Sequence, residues 1–198
     1  MSRIKAHFDK VASDYQKFSA RGLWKIIREK EARAVVEMLP EITKSMAALD
    51  LGCGAGFYSH IMHQKGIRNI TCIDFSEKML NQIKIPQLRK IQTDIESFHT
   101  ELKFDIILCA GALEFAAGPE KVFENVSDML KTGGAFILLY PPKTLFGSFY
   151  QQYHWWLHGL SVRLFRKKEI QAYAADAGLN SLRLLRVHPF SEVMMCIK

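Results

Sequence analysis

The stretch "ALDLGCGAGFYSH", Ala48 to His60, decides how the rest of the chain is interpreted. A short apolar run reaches Asp50, and three glycines then follow at alternate positions, Gly52, Gly54 and Gly56. Glycine-rich turns directly after a strand are typical of nucleotide binding, because glycine lets the backbone approach a ligand without an intervening side chain. The pattern therefore predicts a ligand-binding turn at the carboxyl edge of a sheet.

The glycine spacing distinguishes this turn from two other phosphate-binding turns. A dinucleotide fingerprint would place its third glycine where this chain has Phe57, and no Gly-Lys-Ser/Thr follows as in a P-loop. Asp50 would repel an anionic pyrophosphate, which prefers amide donors at a helix N-terminus. S-adenosylmethionine (SAM) carries an ammonium and a sulfonium, and an acid near the loop suits both charges. The spacing therefore favours SAM over a dinucleotide.

Two further aspartates follow later apolar runs. Asp74 lies 20 residues after Gly54 and ends the run "NITCID", where a carboxylate accepts both hydroxyls of a ribose. Asp94 ends the run "RKIQTD", and we expect it to meet an adenine amino group with Ile95 against the ring. Each aspartate alone could also be a helix cap or a turn residue.

Short apolar runs alternate with helix-like stretches through the middle of the chain. This alternation predicts a parallel sheet covered by helices on both faces. The predicted strands are 46–51, 69–74, 89–94, 104–110 and 134–140, and the predicted helices between them are 57–66, 76–84 and 119–131. "TGG" at 132–134 reads as a helix stop before a strand.

The two ends of the chain have other patterns. Residues 3–20 and 22–39 read as helices, the second ending before Pro40. The runs 181–190 and 192–198 are strand-like and are joined too tightly for a helical crossover, so they predict an antiparallel hairpin.

Composition favours one cytoplasmic domain. The chain has 198 residues, an ordinary hydrophobic content and a polar start unlike a signal peptide. Its four cysteines lack CxxC spacing, which predicts free, buried thiols in a reducing compartment. The net charge is +7, and its densest basic cluster lies at 163–169. This cluster is either a solvated face or a polyanion site.

Five ordered motifs give the chain a family resemblance. "LDLGCGAG", "CIDFSEKML", "TDIESF", "FDIILCAGALEF" and "MLKTGGAFILLY" resemble successive motifs of Rossmann-like (class I) SAM-dependent methyltransferases, over residues 45–140. The resemblance implies a three-layer α/β fold with a seven-stranded, mostly parallel sheet. Its strand order would be 3-2-1-4-5-7-6 with strand 7 antiparallel, and S-adenosylhomocysteine (SAH) would be the product.

The resemblance also assigns a cofactor site. The glycine loop would surround the methionine part of SAM, Phe75 would line the adenine pocket, and Cys109 and Ala110 would lie beside the sulfonium. The cofactor-binding residues expected on all these grounds are Asp50, Gly52, Cys53, Gly54, Gly56, Asp74, Phe75, Asp94, Ile95, Cys109 and Ala110.

The start of the chain resembles a narrower group. "HFDKVASDYQKF" is similar to the opening of methyltransferases of ubiquinone, menaquinone and biotin-precursor biosynthesis, in which a helix closes over the cofactor. Phe8 and Tyr15 are the matching positions and are seven residues apart, so they would share a helix face. Tyr15 is therefore a catalytic candidate, and a helix that only packs on the core is the alternative.

The segment 141–165 is the expected acceptor side. Its aromatic residues suit a small apolar or aromatic acceptor, or docking at a membrane interface through 145–165, and a lid helix with core aromatics is the alternative. Its start, "YPPKTLFGSFY", resembles magnesium-protoporphyrin methyltransferases over that short stretch. His154 is the first acid–base candidate; the others are His158, His188, Tyr140, Tyr153 and Glu114.

These observations predict a SAM-dependent methyltransferase with a small-molecule acceptor, no nucleic-acid partner and no metal, as a monomer or homodimer. Its parts would be an N-terminal helical lid (1–40), a SAM-binding core (45–140), an acceptor-side insertion and helix (141–180) and a C-terminal β-hairpin (181–198). Two alternatives stay open: an RNA methyltransferase using the basic surface, and a non-catalytic SAM-binding subunit. A nicotinamide oxidoreductase conflicts with the misplaced third glycine.

Overall fold

A seven-stranded sheet organises the chain, and the computed structural model describes residues 2–12 and 22–198. The strands are β1 (Ala47–Leu51), β2 (Asn69–Asp74), β3 (Arg89–Gln92), β4 (Phe104–Ala110), β5 (Leu130–Tyr140), β6 (Asn180–Val187) and β7 (Ser191–Ile197). The α-helices are α1 (Ser2–Val11), α2 (Gly22–Met38), α3 (Phe57–Gln64), α4 (Glu77–Leu80), α5 (Pro119–Met129), α6 (Leu145–His158) and α7 (Lys167–Asp176). A 3₁₀ turn, Leu113–Phe115, follows β4.

The strand order is β3-β2-β1-β4-β5-β7-β6, which confirms the predicted topology. The first five strands pair in parallel, whereas β7 is antiparallel to both β5 and β6. The apolar run 104–110 is β4, which lies between β1 and β5. Because a central parallel strand is covered on both faces, its nearly continuous apolar sequence is what burial requires.

Alternate residues of β4 belong to different hydrophobic clusters, one on each face of the sheet. Ile107 and Cys109 pack in one cluster with α5 and α7, and Ile106 and Leu108 pack in the other with α2 and α3. This period of two follows from the pleat of a strand. The four cysteines are free and buried, as predicted, and belong to these two clusters.

Three predicted boundaries differ from the structure by four or more residues. β5 begins at Leu130 rather than 134, because an irregularity around the left-handed Gly133 lets the chain enter the sheet early. The predicted helix 76–84 is reduced to α4, since the chain turns after it and buries Ile83 against the glycine loop. α1 ends at Val11, and residues 13–21 lie outside the described part of the chain.

The two N-terminal helices are tied to different segments of the chain. α1 is held at the carboxyl edge of the sheet, where Ser76 donates a hydrogen bond to Asp9. α2 packs on β6 and β7, with the Ser191 hydroxyl donating to Glu31 and Arg183 paired with Glu37. Both helices therefore reach the edge at which β1 and β4 end.

Gly52 gives a stability test of the loop. Its φ is +77°, and a Cβ there would lie 2.3 Å from the Cβ of Ala112. We expect Gly133→Ala, with φ +76° and no atom within 4 Å of the added Cβ, to cost only the left-handed strain, about 1–2 kcal/mol. Gly52→Ala adds a steric overlap to the same backbone strain, so it should lower the free energy of unfolding clearly more than Gly133→Ala does. Urea unfolding of both variants measures the difference, and equal losses would contradict the proposed close approach.

Candidate active site

The glycine loop after β1 is fixed to the end of β2. The carbonyl oxygen of Ile73 accepts hydrogen bonds from the backbone amides of both Gly52 and Cys53, each at 2.8 Å. Gly52 and Gly54 both have positive φ, which permits this sharp path at little cost. The loop therefore has a defined shape before any ligand binds.

Asp74 completes the attachment. Its Oδ2 accepts from the Gly54 amide and its Oδ1 from the Ser76 amide, both at 2.8 Å. Burial raises the pKa of Asp74, the two amide donors oppose this rise, and the nearby charges of Asp9 and Asp94 add to it. An ionised carboxylate offers about four acceptor positions. Asp74 can therefore still accept hydrogen bonds from a ligand's hydroxyl groups.

A cleft lies over this loop at the carboxyl ends of β1, β2 and β4. Of the predicted cofactor-binding residues, those that line it are Gly52, Cys53, Gly54, Asp74, Phe75, Asp94, Ile95 and Ala110. A Cβ built on Gly54 would meet no atom within 4 Å, so this glycine faces open space. The cleft combines carboxylates at two strand ends with an apolar wall that includes Phe115.

Three predicted residues do not line the cleft. Asp50 is sealed beneath the loop, where Ser59 donates to its Oδ2, and burial raises its pKa to about 7. Gly56 is the N-cap of α3 and packs on Ile83. Cys109 is fully buried within β4, because its side chain points into the core under the sheet. The motifs in the sequence indicate that these three residues lie near the cleft, but not whether their side chains face it.

α1 lies across the cleft. The ring of Phe8 makes edge-to-face contacts with Phe75 at 5.8 Å and with Phe115 at 5.5 Å between centroids. Phe8 also lines the cleft itself. Tyr15, the other position suggested by the N-terminal resemblance, lies outside the described residues.

A second, larger cavity of about 690 Å³ adjoins the cleft. It lies between α1, α2, the end of β4 and α6, and its aromatic lining includes Trp24, Tyr150, Tyr153 and Phe190. Six residues line both spaces: Phe8, Arg28, Tyr58, Ala110, Gly111 and Phe115. The two spaces thus share a wall at the end of β4.

Two buried polar atoms in this cavity have no hydrogen-bond partner. Among the described residues, Glu114 Oε2 and His154 Nδ1 are the buried side-chain nitrogen and oxygen atoms that lack one, and both residues line the same cavity. Burial raises the pKa of Glu114 to about 8 and, aided by His158 and His7, lowers that of His154 to about 4. A buried polar atom without a partner is destabilising, so each of these two side chains carries a cost in the folded state.

The other predicted acid–base groups divide between two places. Tyr153 and His158 line the cavity with Glu114 and His154. Tyr140 does not, since its hydroxyl donates to Glu192 at 2.8 Å inside the core. His188 is exposed beside the final hairpin and is also absent from the lining.

Sequence reasoning missed three cavity residues with cationic, acidic or imidazole side chains: His7, Arg28 and Glu31. His7 stacks edge-on against His158 with centroids 4.7 Å apart, and burial raises the pKa of Glu31. These residues come from α1 and α2, whose helical patterns indicate only packing. No local signal could have placed them, because the cavity forms from helices distant in sequence.

Part of the chain that forms the cleft is similar in sequence to a known protein family. A family model described as a methyltransferase domain matches residues 49–138, which run from β1 to β5. Residues 49–138 therefore resemble a methyltransferase domain. The glycine loop, Asp74, Asp94 and the end of β4 all lie within that domain, whereas α1, α2 and α6 lie outside it.

Two relatives extend the match beyond the domain. The chain is 30% identical over 147 residues to a ubiquinone biosynthesis O-methyltransferase of Pseudomonas aeruginosa, covering 66% of this chain and 63% of the relative. It is 27% identical over 149 residues to a demethylmenaquinone methyltransferase of Leptospira interrogans, covering 69% and 59%. The matches thus span less than two thirds of these relatives' lengths.

The fold is that of SAM-dependent methyltransferases. The solved structure of a magnesium protoporphyrin IX methyltransferase from Synechocystis, with SAH bound, superposes with a TM-score of 0.76 at 18% identity, over 98% of both chains. At 18% identity the superposition shows a shared fold and nothing more.

The cleft of the methyltransferase domain fits SAM. The open space at Gly54 allows a ligand to lie close to the backbone, and Asp74 keeps acceptor positions for hydroxyl donors. Asp94, whose Oδ1 accepts from the Glu96 amide at 2.9 Å, and Ile95 supply a polar and an apolar contact farther along.

Asp74→Ala tests this assignment. The substitution removes a charged acceptor from the cleft and releases the Gly54 amide, so we expect SAM affinity to fall by about tenfold or more. Asp105→Ala is the matched control, because Asp105 also accepts from a backbone amide, that of Ala47, but at the opposite end of β4. Calorimetry should show weaker binding only in the first variant, and unchanged binding in both would refute the assignment.

Glu114 gives a pH-dependent stability test. Because its folded pKa is raised to about 8 from 4.5, the folded state holds the proton more tightly, and stability is lost as pH rises from 4.5 towards 8. The loss has an upper limit of roughly 4–5 kcal/mol. Glu114→Gln has no proton to lose, so its free energy of unfolding should fall less over this range.

Urea unfolding of both proteins at several pH values measures that difference. Asp50, whose pKa is also raised, is present in both proteins and cancels in the comparison. Parallel pH curves for wild type and Glu114→Gln would contradict the burial of an isolated carboxyl at this position.

Proposed function

We propose that the protein transfers a methyl group from SAM to a small aromatic acceptor that binds in the cavity beside the cleft. One observation supports this most directly: the cleft and the cavity share a wall formed by the end of β4 and Phe8. Methyl transfer needs donor and acceptor held in line and in contact, and positioning supplies most of the catalysis. Two adjoining spaces of different chemistry meet that need.

The cavity lining supports an aromatic acceptor that carries an ionisable hydroxyl. The aromatic side chains provide flat contact area, and the carboxyl of Glu114 and the imidazole of His154 add polar groups to an otherwise largely apolar lining. The relatives named for ubiquinone biosynthesis and demethylmenaquinone are consistent with such a compound. The partner class is therefore a small molecule with an aromatic ring.

Glu114 would act as the proton acceptor for that hydroxyl. A raised pKa near 8 makes its carboxylate a stronger base than an ordinary glutamate while part of it stays ionised near neutral pH. His154 would be neutral there and would orient the same hydroxyl through a hydrogen bond. When bound, SAM supplies the methyl group on a positively charged sulfur.

The cofactor side follows from the geometry of the cleft. Asp74 would hold the ribose hydroxyls, Asp94 and Ile95 the adenine, and the amides of the glycine loop the methionine part. Asp50, Gly56 and Cys109 would act from outside the cleft, by holding the loop and the end of β4 in shape. Phe8 would cover the cleft and keep water out.

Formation of SAH with a panel of acceptors tests the proposal. We expect turnover with catechols or hydroquinols and none with saturated alcohols. Glu114→Gln should lower kcat by about 10²–10⁴ without changing SAM affinity. His154→Asn and His188→Asn form a matched pair, since only the first histidine lines the cavity, and only the first should lower turnover.

Other outcomes would favour the alternatives. Turnover of RNA alone, with binding that weakens steeply as salt rises, would indicate an RNA methyltransferase. SAM binding without turnover of any compound would indicate a non-catalytic subunit. Equal rates in wild type and Glu114→Gln would remove Glu114 from the mechanism.

A further inference from the structure

α6 exposes an apolar face to solvent. Its outer side presents Leu145, Phe146, Phe149, Trp155, Trp156 and Leu157, and two of these, Phe149 and Trp156, are 71% and 77% exposed. Phe146, Phe149, Tyr153 and Trp156 recur at spacings of three and four, so they share one helix face. The inner side, with Tyr150, His154 and His158, lines the cavity. We define the outer side together with Trp24 as the aromatic face.

The aromatic face is contiguous with the mouth of the cavity. Trp24 contacts Tyr153 with centroids 5.6 Å apart, which joins α2 to α6. Trp24, Tyr153 and Leu157 line the cavity and are also exposed. Aromatic and aliphatic side chains therefore continue from this surface into the lining of the cavity.

The charged residues around this face are mostly cationic. From residue 141 to 168 the chain has five cationic side chains and no Asp or Glu, and the cations are Lys143, Arg163, Arg166, Lys167 and Lys168. Arg163 is paired with Glu169, whereas Lys143, Arg166, Lys167 and Lys168 are exposed. The neighbouring α1, in contact with α6 through His7 and His158, adds Arg3, Lys5 and Lys10 against Asp9.

We propose that the aromatic face docks on an anionic lipid surface. Trp, Tyr and Phe on a helix with basic flanks match the apolar boundary and the negative headgroups of such a membrane. The proposed contact is with the surface of the bilayer. No helix in residues 2–12 and 22–198 has the length and apolarity needed to cross a bilayer. The docking proposal depends only on the composition of the aromatic face. Delivery of an acceptor from the lipid through the mouth of the cavity would depend also on the proposed function.

Intrinsic fluorescence reports this contact directly. The chain has three tryptophans, Trp24, Trp155 and Trp156, and all of them belong to the aromatic face. Vesicles of phosphatidylcholine with about one quarter phosphatidylglycerol should shift the emission to shorter wavelength and carry the protein into the pellet on centrifugation. Pure phosphatidylcholine should bind less, and high salt should weaken binding to the anionic vesicles.

Matched substitutions locate the surface. Leu145→Ser removes an 82% exposed leucine from the aromatic face, and Leu182→Ser removes a 66% exposed leucine from β6. Only the first should weaken vesicle binding. Phe149→Ser combined with Trp156→Ser should weaken it by about tenfold or more while SAM binding and the melting temperature stay unchanged.

Three results would overturn the inference. Wild type that stays in the supernatant with anionic vesicles would exclude docking, whatever its turnover in solution. Equal losses for Leu145→Ser and Leu182→Ser would mean that general surface apolarity is responsible. A dimeric wild type that does not bind vesicles and becomes monomeric in the double variant would make the face an interface between two copies of this chain.

Discussion

The carboxylate of Asp74 fixes the glycine loop to the end of β2, and the candidate site depends on that attachment. One oxygen accepts from the Gly54 amide and the other from the Ser76 amide, while the preceding Ile73 carbonyl accepts from two further loop amides. A loop of left-handed glycines would otherwise have many conformations. The side chain that holds the loop also faces the cleft, so the loop's shape and its binding chemistry come from one residue.

Local sequence carried enough information to place the sheet and the cleft. β2 and β4 have the predicted bounds, because a short apolar run between helix-like stretches is long enough for a buried strand and too short for a buried helix. Eight predicted cofactor residues line the cleft, since the carboxyl ends of neighbouring parallel strands meet at one edge. The acidic position Asp50 was predictable, but its burial beneath the loop, bonded to Ser59, was not.

The cavity was harder to predict because its members come from separate helices. Glu31 is held at the cavity by a hydrogen bond from Ser191, which is 160 positions away in the sequence. Trp24 is held there by contacts with α6. Hydrophobic periodicity identifies such helices but not their neighbours. The early start of β5 was missed for a related reason, since Gly133 and its left-handed turn were read as the end of a helix when they lie within the strand.

Because the cleft and the cavity share a wall, a ligand bound in one would affect binding in the other. Phe8 contacts Phe75 in the cleft and also lines the cavity. A displacement of α1 that enlarges the cleft would therefore change the volume of the cavity as well. Thermodynamic linkage makes this effect reciprocal. If one ligand changes the affinity for the other by orienting α1, the second ligand changes the affinity for the first by the same factor. The N-terminal helix would thus couple the binding of the two ligands, whichever of them binds first.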